Sequence, residues 1–272
     1  MPSENRAAFN PTHIRGQNFL SNAGAVQAVL DASEITARDT VVEIGPGHGA
    51  LTIPLARRAR AVQVVEIDPQ VVQGLRDKLN NKLSSKVSIT RADVLDLLGK
   101  NPSWAPTHYV LISNLPFGIS SDILRIFLTD PRIARPKRIV LILQYELAKR
   151  ITAKPGEMST LSVMVQATSR AEFFRKISRG SFTPSPRVDA ALVRLSPHLH
   201  KGFIQETLEP FLSFVRAGFA ARRRMLINTL VAAGYDRAKL CAALTRAGIP
   251  ATIRPQDLSI DQWVSLFRIL HA

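Results

Sequence analysis

Between residue 24 and about residue 195, short β-branched apolar runs alternate with longer amphipathic stretches. The short runs predict strands at Thr40–Ile44, Ala61–Ile67, Val87–Thr90, Tyr109–Ile112, Arg138–Gln144, Ala171–Ile177 and Ala190–Leu195. The longer stretches predict helices near Ala50–Arg58, Pro69–Lys82, Ser121–Leu128 and Ser159–Ala167. This order indicates an α/β fold in which helices cover both faces of a mostly parallel sheet. Ligands of such sheets bind beyond the carboxyl ends of the strands, so those positions are the first candidates for function.

The pattern changes after Pro197. From Phe203 to the end, apolar residues recur near helical spacing and no comparable β-rich run appears. We therefore predict a sheet domain of residues 24–198 and a smaller α-helical domain of residues 199–272.

The charge balance points to a polyanionic partner. The chain has 272 residues, 36 Lys and Arg against 21 Asp and Glu, and a formal net charge of +15. The cations fall into three clusters of nearly one sign, at 131–154, 170–187 and 216–224. An ordinary solvated surface mixes both signs, so these clusters favour a nucleic-acid surface over a merely basic enzyme.

Composition also bounds the cellular setting. The longest aliphatic run is five residues, far short of the ~20 that a membrane helix needs. The single cysteine excludes an internal disulfide and a cysteine metal site. We expect a cytoplasmic protein, monomeric, without a metal or a membrane contact.

The first two strand ends predict an adenosine pocket. A glycine-rich turn, Gly45 to Ala50, follows the first strand, and such turns let the backbone approach a ligand closely. Glu66 stands about twenty residues further on, where an acid accepts hydrogen bonds from ribose hydroxyls. Both NAD(P) and S-adenosylmethionine contain that ribose, so these two features leave both cofactors open.

The third strand ends at Asp93 and Val94. The Asp93 carboxylate can accept a hydrogen bond from an adenine amino group while Val94 packs against the ring. The alternative is that Asp93 is an ordinary cap of a following helix.

The fourth strand ends in Asn114-Leu115-Pro116-Phe117, which predicts chemistry on a base. An exocyclic amine is a poor nucleophile because its lone pair is delocalised into the ring. Two acceptors on its hydrogens, the Asn114 side-chain oxygen and a nearby backbone carbonyl, would favour a tetrahedral nitrogen in the transition state. Pro116 stiffens the turn, and Phe117 can stack on an extruded base. The alternative is a structural turn with a core Phe.

These residues together resemble the ribosomal RNA adenine N6-dimethyltransferases, the family of the Erm macrolide-resistance enzymes and the KsgA-type enzymes. The resemblance covers almost the whole chain, including Gln17 to Leu20, Ser181 to Asp189 and the Arg222-Arg223-Arg224 segment, which we expect on a helix. It implies a Rossmann-like S-adenosylmethionine-dependent methyltransferase sheet, with an N-terminal segment of residues 1–23 contributing to the cofactor site. The implied target is ribosomal RNA.

The resemblance and the strand ends together define the predicted site. Cofactor-binding residues are Asn18, Leu20, Gly45, Gly47, Glu66, Ile67, Asp93, Val94 and Asn114. Catalytic residues are Asn114, Leu115, Pro116 and Phe117. Candidate RNA-binding residues are Arg138, Lys149, Arg150, Arg187, Arg222 and Arg223.

The subfamily is a separate question, because both types share the catalytic strand ends. The segment 143–150 and the positive charge favour the Erm type, which methylates one adenine of naked or precursor 23S RNA and confers macrolide resistance. Gln17-Asn18 and 184–189 are closer to the KsgA type, which dimethylates adjacent adenines of 16S RNA during ribosome maturation. Our main reading is Erm, with KsgA as the alternative. An NAD(P) oxidoreductase and a non-catalytic RNA-binding factor explain fewer residues.

Overall fold

The computed structural model describes residues 18–200, 205–221 and 223–271. Its strands are β1 (Phe19–Leu20), β2 (Thr40–Ile44), β3 (Ala61–Glu66), β4 (Val87–Arg91), β5 (Val110–Asn114), β6 (Arg138–Gln144), β7 (Ser169–Ile177), β8 (Phe182–Thr183) and β9 (Ala190–Pro197). Its helices are α1 (Ala23–Ser33), α2 (Thr52–Arg58), α3 (Pro69–Lys78), α4 (Asn81–Ser84), α5 (Val94–Lys100), α6 (Ser120–Thr129), α7 (Tyr145–Ile151), α8 (Thr160–Thr168), α9 (Gln205–Gly218), α10 (Leu226–Ala232), α11 (Arg237–Arg246) and α12 (Ile260–Leu270).

Seven strands form one sheet in the order β4-β3-β2-β5-β6-β9-β7. Strands β2 to β6 run parallel, whereas β9 is antiparallel to both β6 and β7. Every residue of β2 and the five inner residues of β6 are buried, because helices cover both faces and demand continuous apolar runs. The predicted α/β sheet is confirmed.

Two hydrophobic clusters lie on the two faces of the sheet. One contains side chains of α1, α2 and α3, and the other contains side chains of α6, α7 and α8. The second cluster continues into α9 to α12, where Phe211, Phe214 and Trp263 are fully buried. The described elements after Pro197 are all helical, and they pack against the sheet domain through this shared core. The division at residues 198 and 199 stays a prediction.

Several predicted boundaries differ from the structure for local reasons. The helix expected at Pro69–Lys82 is divided, because the Asn80 side chain accepts a hydrogen bond from the Leu83 amide and starts α4. The fourth strand runs two residues further than expected, so Asn114 pairs with Ile142 as the last residue of β5.

The helix expected at Arg222–Arg224 is not found at the two residues the structure describes. Arg222 lies outside the described residues, and Arg223 and Arg224 form a turn between the 3₁₀ segment Phe219–Ala221 and α10. The next helix, α10, begins at Leu226. The Leu226 amide donates to the carbonyl of Ile253 and so holds the start of α10 in place.

Within the described part of the chain, no helix is both long enough and apolar enough to cross a bilayer.

Candidate active site

The carboxyl ends of β4, β3, β2 and β5 lie side by side at one edge of the sheet. Because parallel strands end together, this order brings together Asp93, Glu66, the glycine turn and Asn114. The side chains predicted from the sequence therefore lie at one edge of the sheet, as the strand pattern predicts.

The glycine turn leaves open space beside Pro116. Gly45 and Gly47 have φ values of 65° and 53°, a region that favours glycine. A Cβ on Gly45 would lie 3.7 Å from the Pro116 ring, in the space between the ends of β2 and β5. A Cβ on Gly47 would lie only 2.6 Å from the Phe19 ring. Both positions therefore require a residue without a side chain.

Two hydrogen bonds tie this turn to neighbouring strands. The Gly45 amide donates to the Val65 carbonyl at 2.9 Å. The buried Ser113 hydroxyl donates to the Ile44 carbonyl and joins β5 to β2 where the strand ladder between them has ended. The relative positions of the first, second and fourth strand ends are thus fixed by hydrogen bonds.

Glu66 is held in one orientation by the backbone that follows it. Its Oε1 accepts hydrogen bonds from the amides of Ile67 at 2.8 Å and Asp68 at 2.9 Å. The residue is 4% exposed, and burial raises the pKa of its carboxyl although both amide hydrogen bonds oppose the rise. The second carboxylate oxygen remains for a hydroxyl pair such as that of a ribose, beside the half-buried Ile67.

Asp93 has the capping role that the sequence left open. Its Oδ1 accepts hydrogen bonds from the amides of Leu95 at 2.8 Å and Asp96 at 3.3 Å at the start of α5. The cap orients the side chain and leaves Oδ2 as an acceptor, so the cap and an adenine contact are compatible. Val94, the next residue, is buried.

The Asn114 amide is oriented by a contact from the N-terminal segment. Its Nδ2 donates to the Asn18 carbonyl at 2.9 Å, which leaves Oδ1 as an acceptor without a partner among the described residues. The Leu115 amide donates to the Ile142 carbonyl, while the Leu115 carbonyl accepts no hydrogen bond in the described part of the chain. Two unpartnered acceptors therefore follow each other at the tip of β5.

The turn after Leu115 is rigid and presents an aromatic ring. The Pro116 carbonyl accepts from the amide of Ile119 at 3.2 Å and from the hydroxyl of Ser120 at 3.1 Å. Phe117 is half-buried and contacts no other aromatic ring among the residues described. Phe117 therefore lies two residues after Leu115 and leaves part of an apolar ring open to solvent.

Residues 18–20 close over the glycine turn. Strand β1 pairs antiparallel with β8, so Phe19 faces Thr183 and the buried Leu20 faces Phe182. The Phe19 and His48 rings lie 4.0 Å apart between centroids. These contacts bring Asn18 and Leu20 beside the site, although the sequence signal was only the resemblance. Gln17 and the rest of the predicted segment 1–17 lie outside the described residues.

Glu43 is a site residue that the sequence analysis missed. It is the fourth of the five residues of β2, one residue before the end of the strand, and is 1% exposed. Its Oε2 finds no hydrogen-bond partner within the described residues. Burial and the neighbouring Glu66 raise the pKa of Glu43 to about 8. A carboxyl inside an otherwise apolar strand was the available signal.

The predicted RNA-binding cations divide between opposite edges of the sheet. Lys149, Arg150 and Arg187 are exposed at the edge that carries the site. Arg138 begins β6 at the other edge, about 20 Å away along a seven-residue strand. It forms an ion pair with Glu34 at 2.8 Å and donates to the Ser33 carbonyl. The prediction for Arg138 is therefore corrected, because its charge is engaged on α1.

The arrangement fits an adenosyl cofactor. Glu66 presents an acceptor for ribose hydroxyls, and Ile67 and Val94 offer apolar contacts. A Cβ on Gly45 would narrow the space beside Pro116. The described residues contain no group of three or more His, Cys, Asp or Glu side chains placed to hold a metal.

The sequence matches the family described as "Ribosomal RNA adenine dimethylase" over residues 9–272. The chain is 35% identical to the "Ribosomal RNA small subunit methyltransferase A" of Moorella thermoacetica, covering 96% of this chain and 92% of that protein. It is 34% identical to the protein of the same name from Synechocystis, covering 97% of each.

Two solved structures share the whole fold. The 23S rRNA methyltransferase ErmE has a TM-score of 0.75 at 29% identity, covering 94% of this chain and 100% of that one. A dimethyladenosine transferase from Plasmodium falciparum has a TM-score of 0.74 at 21% identity, covering 91% of this chain and 95% of that one. These similarities confirm the predicted fold class.

The buried Glu43 carboxyl predicts a specific pH dependence of stability. Its pKa is about 8 in the folded chain and near 4.5 when unfolded, so the folded state binds the proton more tightly. Stability from this group is therefore full below about pH 4.5 and is lost as the pH rises towards 8. Relative to wild type, Glu43→Gln should gain about 1–3 kcal/mol in free energy of unfolding between about pH 5.5 and about pH 7.5.

Urea denaturation at both pH values measures this difference. Glu157→Gln, which removes an exposed carboxyl, controls for a general effect of lost charge. Parallel pH profiles for wild type and Glu43→Gln would show that Glu43 is not protonated in the folded chain.

Proposed function

This chain belongs to the ribosomal RNA adenine dimethylase family, and from that premise we propose that it dimethylates N6 of adjacent adenines in small-subunit (16S) ribosomal RNA during ribosome maturation. It is an rRNA adenine methyltransferase, and its cofactor is S-adenosylmethionine, as the sequence predicts. Family membership also removes the oxidoreductase alternative. The subunit target and the residue roles below are the proposal.

The choice of subunit rests on the relatives. Our main reading of the sequence was an Erm-type enzyme acting on 23S RNA. The curated relatives described above, at 35% and 34% identity over nearly the whole chain, are both named for the small subunit. The similarity to ErmE is weaker, at 29% identity. These findings favour the KsgA-type alternative, in agreement with Gln17-Asn18 and residues 184–189. They do not support the expectation of antibiotic resistance.

The pair of unpartnered acceptors at the tip of β5 is the observation that supports the chemistry. In this proposal Asn114 Oδ1 and the Leu115 carbonyl, which have no partner among the described residues, accept the two hydrogens of an adenine amino group. Hydrogen bonds to both keep the nitrogen lone pair out of the ring and stabilise the positive charge that develops on nitrogen. No strong general base is required, because the nitrogen loses its proton after it has gained a bond and become acidic.

The remaining residues orient the reactants. S-adenosylmethionine, when bound, supplies an activated methyl group on a sulfonium leaving group. Glu66, Asp93 and the Gly45 turn would hold its adenosine part, while Phe117 stacks on the flipped base. Asn18 acts through the Asn114 amide, whose orientation determines which atom faces the substrate.

The RNA surface in this proposal begins at the site edge. Lys149, Arg150 and Arg187 are exposed there, and Arg223 is exposed in the turn before α10. We retain residues 199–272 as a helical RNA-binding domain on a monomeric chain. Shape and a base that can be splayed out would then provide specificity.

Asn114→Ala should lower the turnover number by more than about tenfold, because the lost acceptor acts mainly in the transition state. The affinity for S-adenosylhomocysteine should stay within a few fold, as measured by calorimetry. Asn101→Ala, in the loop after α5, is a matched control that should behave as wild type. A turnover number unchanged by Asn114→Ala would contradict the acceptor role.

The subunit target is tested with radiolabelled S-adenosylmethionine. We expect label to enter assembled small subunits that lack the modification, and not protein-free large-subunit RNA. Label in large-subunit RNA alone would restore the Erm reading. Mapping of modified adenines in the labelled RNA should show both N6 positions of adjacent residues.

A further inference from the structure

Strand β7 is the last strand of the sheet and carries two exposed aromatic side chains. Phe173 is 38% exposed and Phe174 is 43% exposed. The register with β9 shifts between Phe173 and Arg175, so Phe174 is the extra residue of a bulge. Exposed phenylalanines on a sheet edge form an apolar patch that can bind a partner.

Each ring is held in place by a neighbour. Phe173 pairs in register with Val193, whose side chain belongs to the hydrophobic cluster under α7 and α8. The Phe173 ring contacts the Tyr145 ring edge to face, with 5.9 Å between the centroids. The Arg194 guanidinium lies 5.8 Å from the centroid of Phe174. Both rings are therefore oriented while a large part of each remains open to solvent.

Cations lie near Tyr145, the ring that Phe173 contacts. The Lys149 and Lys176 ammonium groups lie 5.4 Å and 5.2 Å from the Tyr145 ring centroid. Arg175 and Arg179 are exposed and form no ion pair within the described residues. We call residues 173–176 with Tyr145 and Lys149 the β7 edge.

Most acids near the β7 edge form ion pairs. Glu172 pairs with Arg170 at 3.1 Å and with Arg194 at 2.7 Å. Asp189 pairs with Lys176 at 2.7 Å and accepts from the Arg179 amide. Glu146 on α7 is exposed and carries the remaining negative charge. Arg175, Arg179, Lys149, Arg150 and Arg187 leave the edge strongly positive.

The β7 edge lies level with the candidate catalytic tip. Asn114 pairs with Ile142, Ile142 with Leu192, and Leu192 with Arg175. This line crosses three strand spacings, so Arg175 lies about 14 Å from Asn114 across the sheet. A short single-stranded segment of RNA can span this distance.

We propose that the β7 edge binds single-stranded ribosomal RNA next to the target adenine, with bases stacked on Phe173 and Phe174 and phosphates near Arg175 and Lys149. This inference rests on the proposed function. Base-on-aromatic stacking tolerates any sequence, and the cations near the rings match a phosphate backbone. Positive charge also disfavours pairing of this edge with a second copy of the chain, because Arg175 and Lys176 of both copies would meet.

The first test replaces the rings. The double variant Phe173→Ala, Phe174→Ala should bind an adenine-containing single-stranded oligoribonucleotide at least about fivefold more weakly, and KM for small subunits should rise equally. The double Tyr variant should restore both, because it keeps the stacking surfaces. Turnover at saturating RNA and S-adenosylhomocysteine affinity should match wild type.

The second test replaces one cation. Arg175→Ala should reduce the slope of log affinity against log salt by about 1. Lys100→Ala, at the end of α5 beside the opposite edge strand, is the matched control and should leave RNA affinity and the salt slope as in wild type.

The outcomes separate this inference from the proposed function. Wild-type RNA affinity and KM in the double Ala variant would overturn the β7 edge as an RNA site, even if the wild-type chain methylates small subunits. A loss of self-association in sedimentation, with unchanged RNA affinity, would equally overturn it and assign the rings to a contact between copies. A wild-type chain without methyl transfer would overturn the proposed function, whereas RNA affinity tests the β7 edge directly.

Discussion

The parallel alignment of β2, β3, β4 and β5 is the constraint on which the site depends. Helices cover both faces of these strands, so polar side chains have little place along most of their length. The strands end together at one edge, where the buried apolar run stops and water or a ligand can satisfy polar groups. Glu66, Asp93 and Asn114 are brought together by this common end. Glu43 lies one residue before the end of β2, inside the buried part of the strand. The loss of solvation there raises the pKa of its carboxyl.

One hydrogen bond determines which atom of the Asn114 side-chain amide is left to contact a substrate. An asparagine amide offers a donor and an acceptor, and either could face the substrate. The Asn18 carbonyl accepts from Asn114 Nδ2, so the acceptor oxygen is the atom that remains. The β1–β8 pairing holds that carbonyl in place, so a two-stranded ladder far from β5 in sequence is part of the candidate active site.

Carboxyl groups and cations occupy different parts of the site. The carboxyls of Glu43 and Glu66 are buried, while Lys149, Arg150 and Arg187 are exposed at the same edge. The rim is therefore positively charged, and an RNA with many phosphates can approach it. The same edge extends to β7, which carries exposed aromatic rings and exposed cations.

The sequence alone determined the sheet, the order of the strand ends and the residue types at those ends. The reason is that β-branched runs and glycine turns depend on interactions between residues close together in the chain. It also placed the chain in its family. Tertiary structure decided which cations share a surface: Arg138 and Lys149 fall in one cluster of the sequence, yet a buried strand separates them and Glu34 neutralises the first. It likewise decided the orientation of Asn114, the cap at Asp93 and the exposure of Phe173 and Phe174. These features depend on partners between two and more than ninety residues away, and most of those pairings form only when the chain packs.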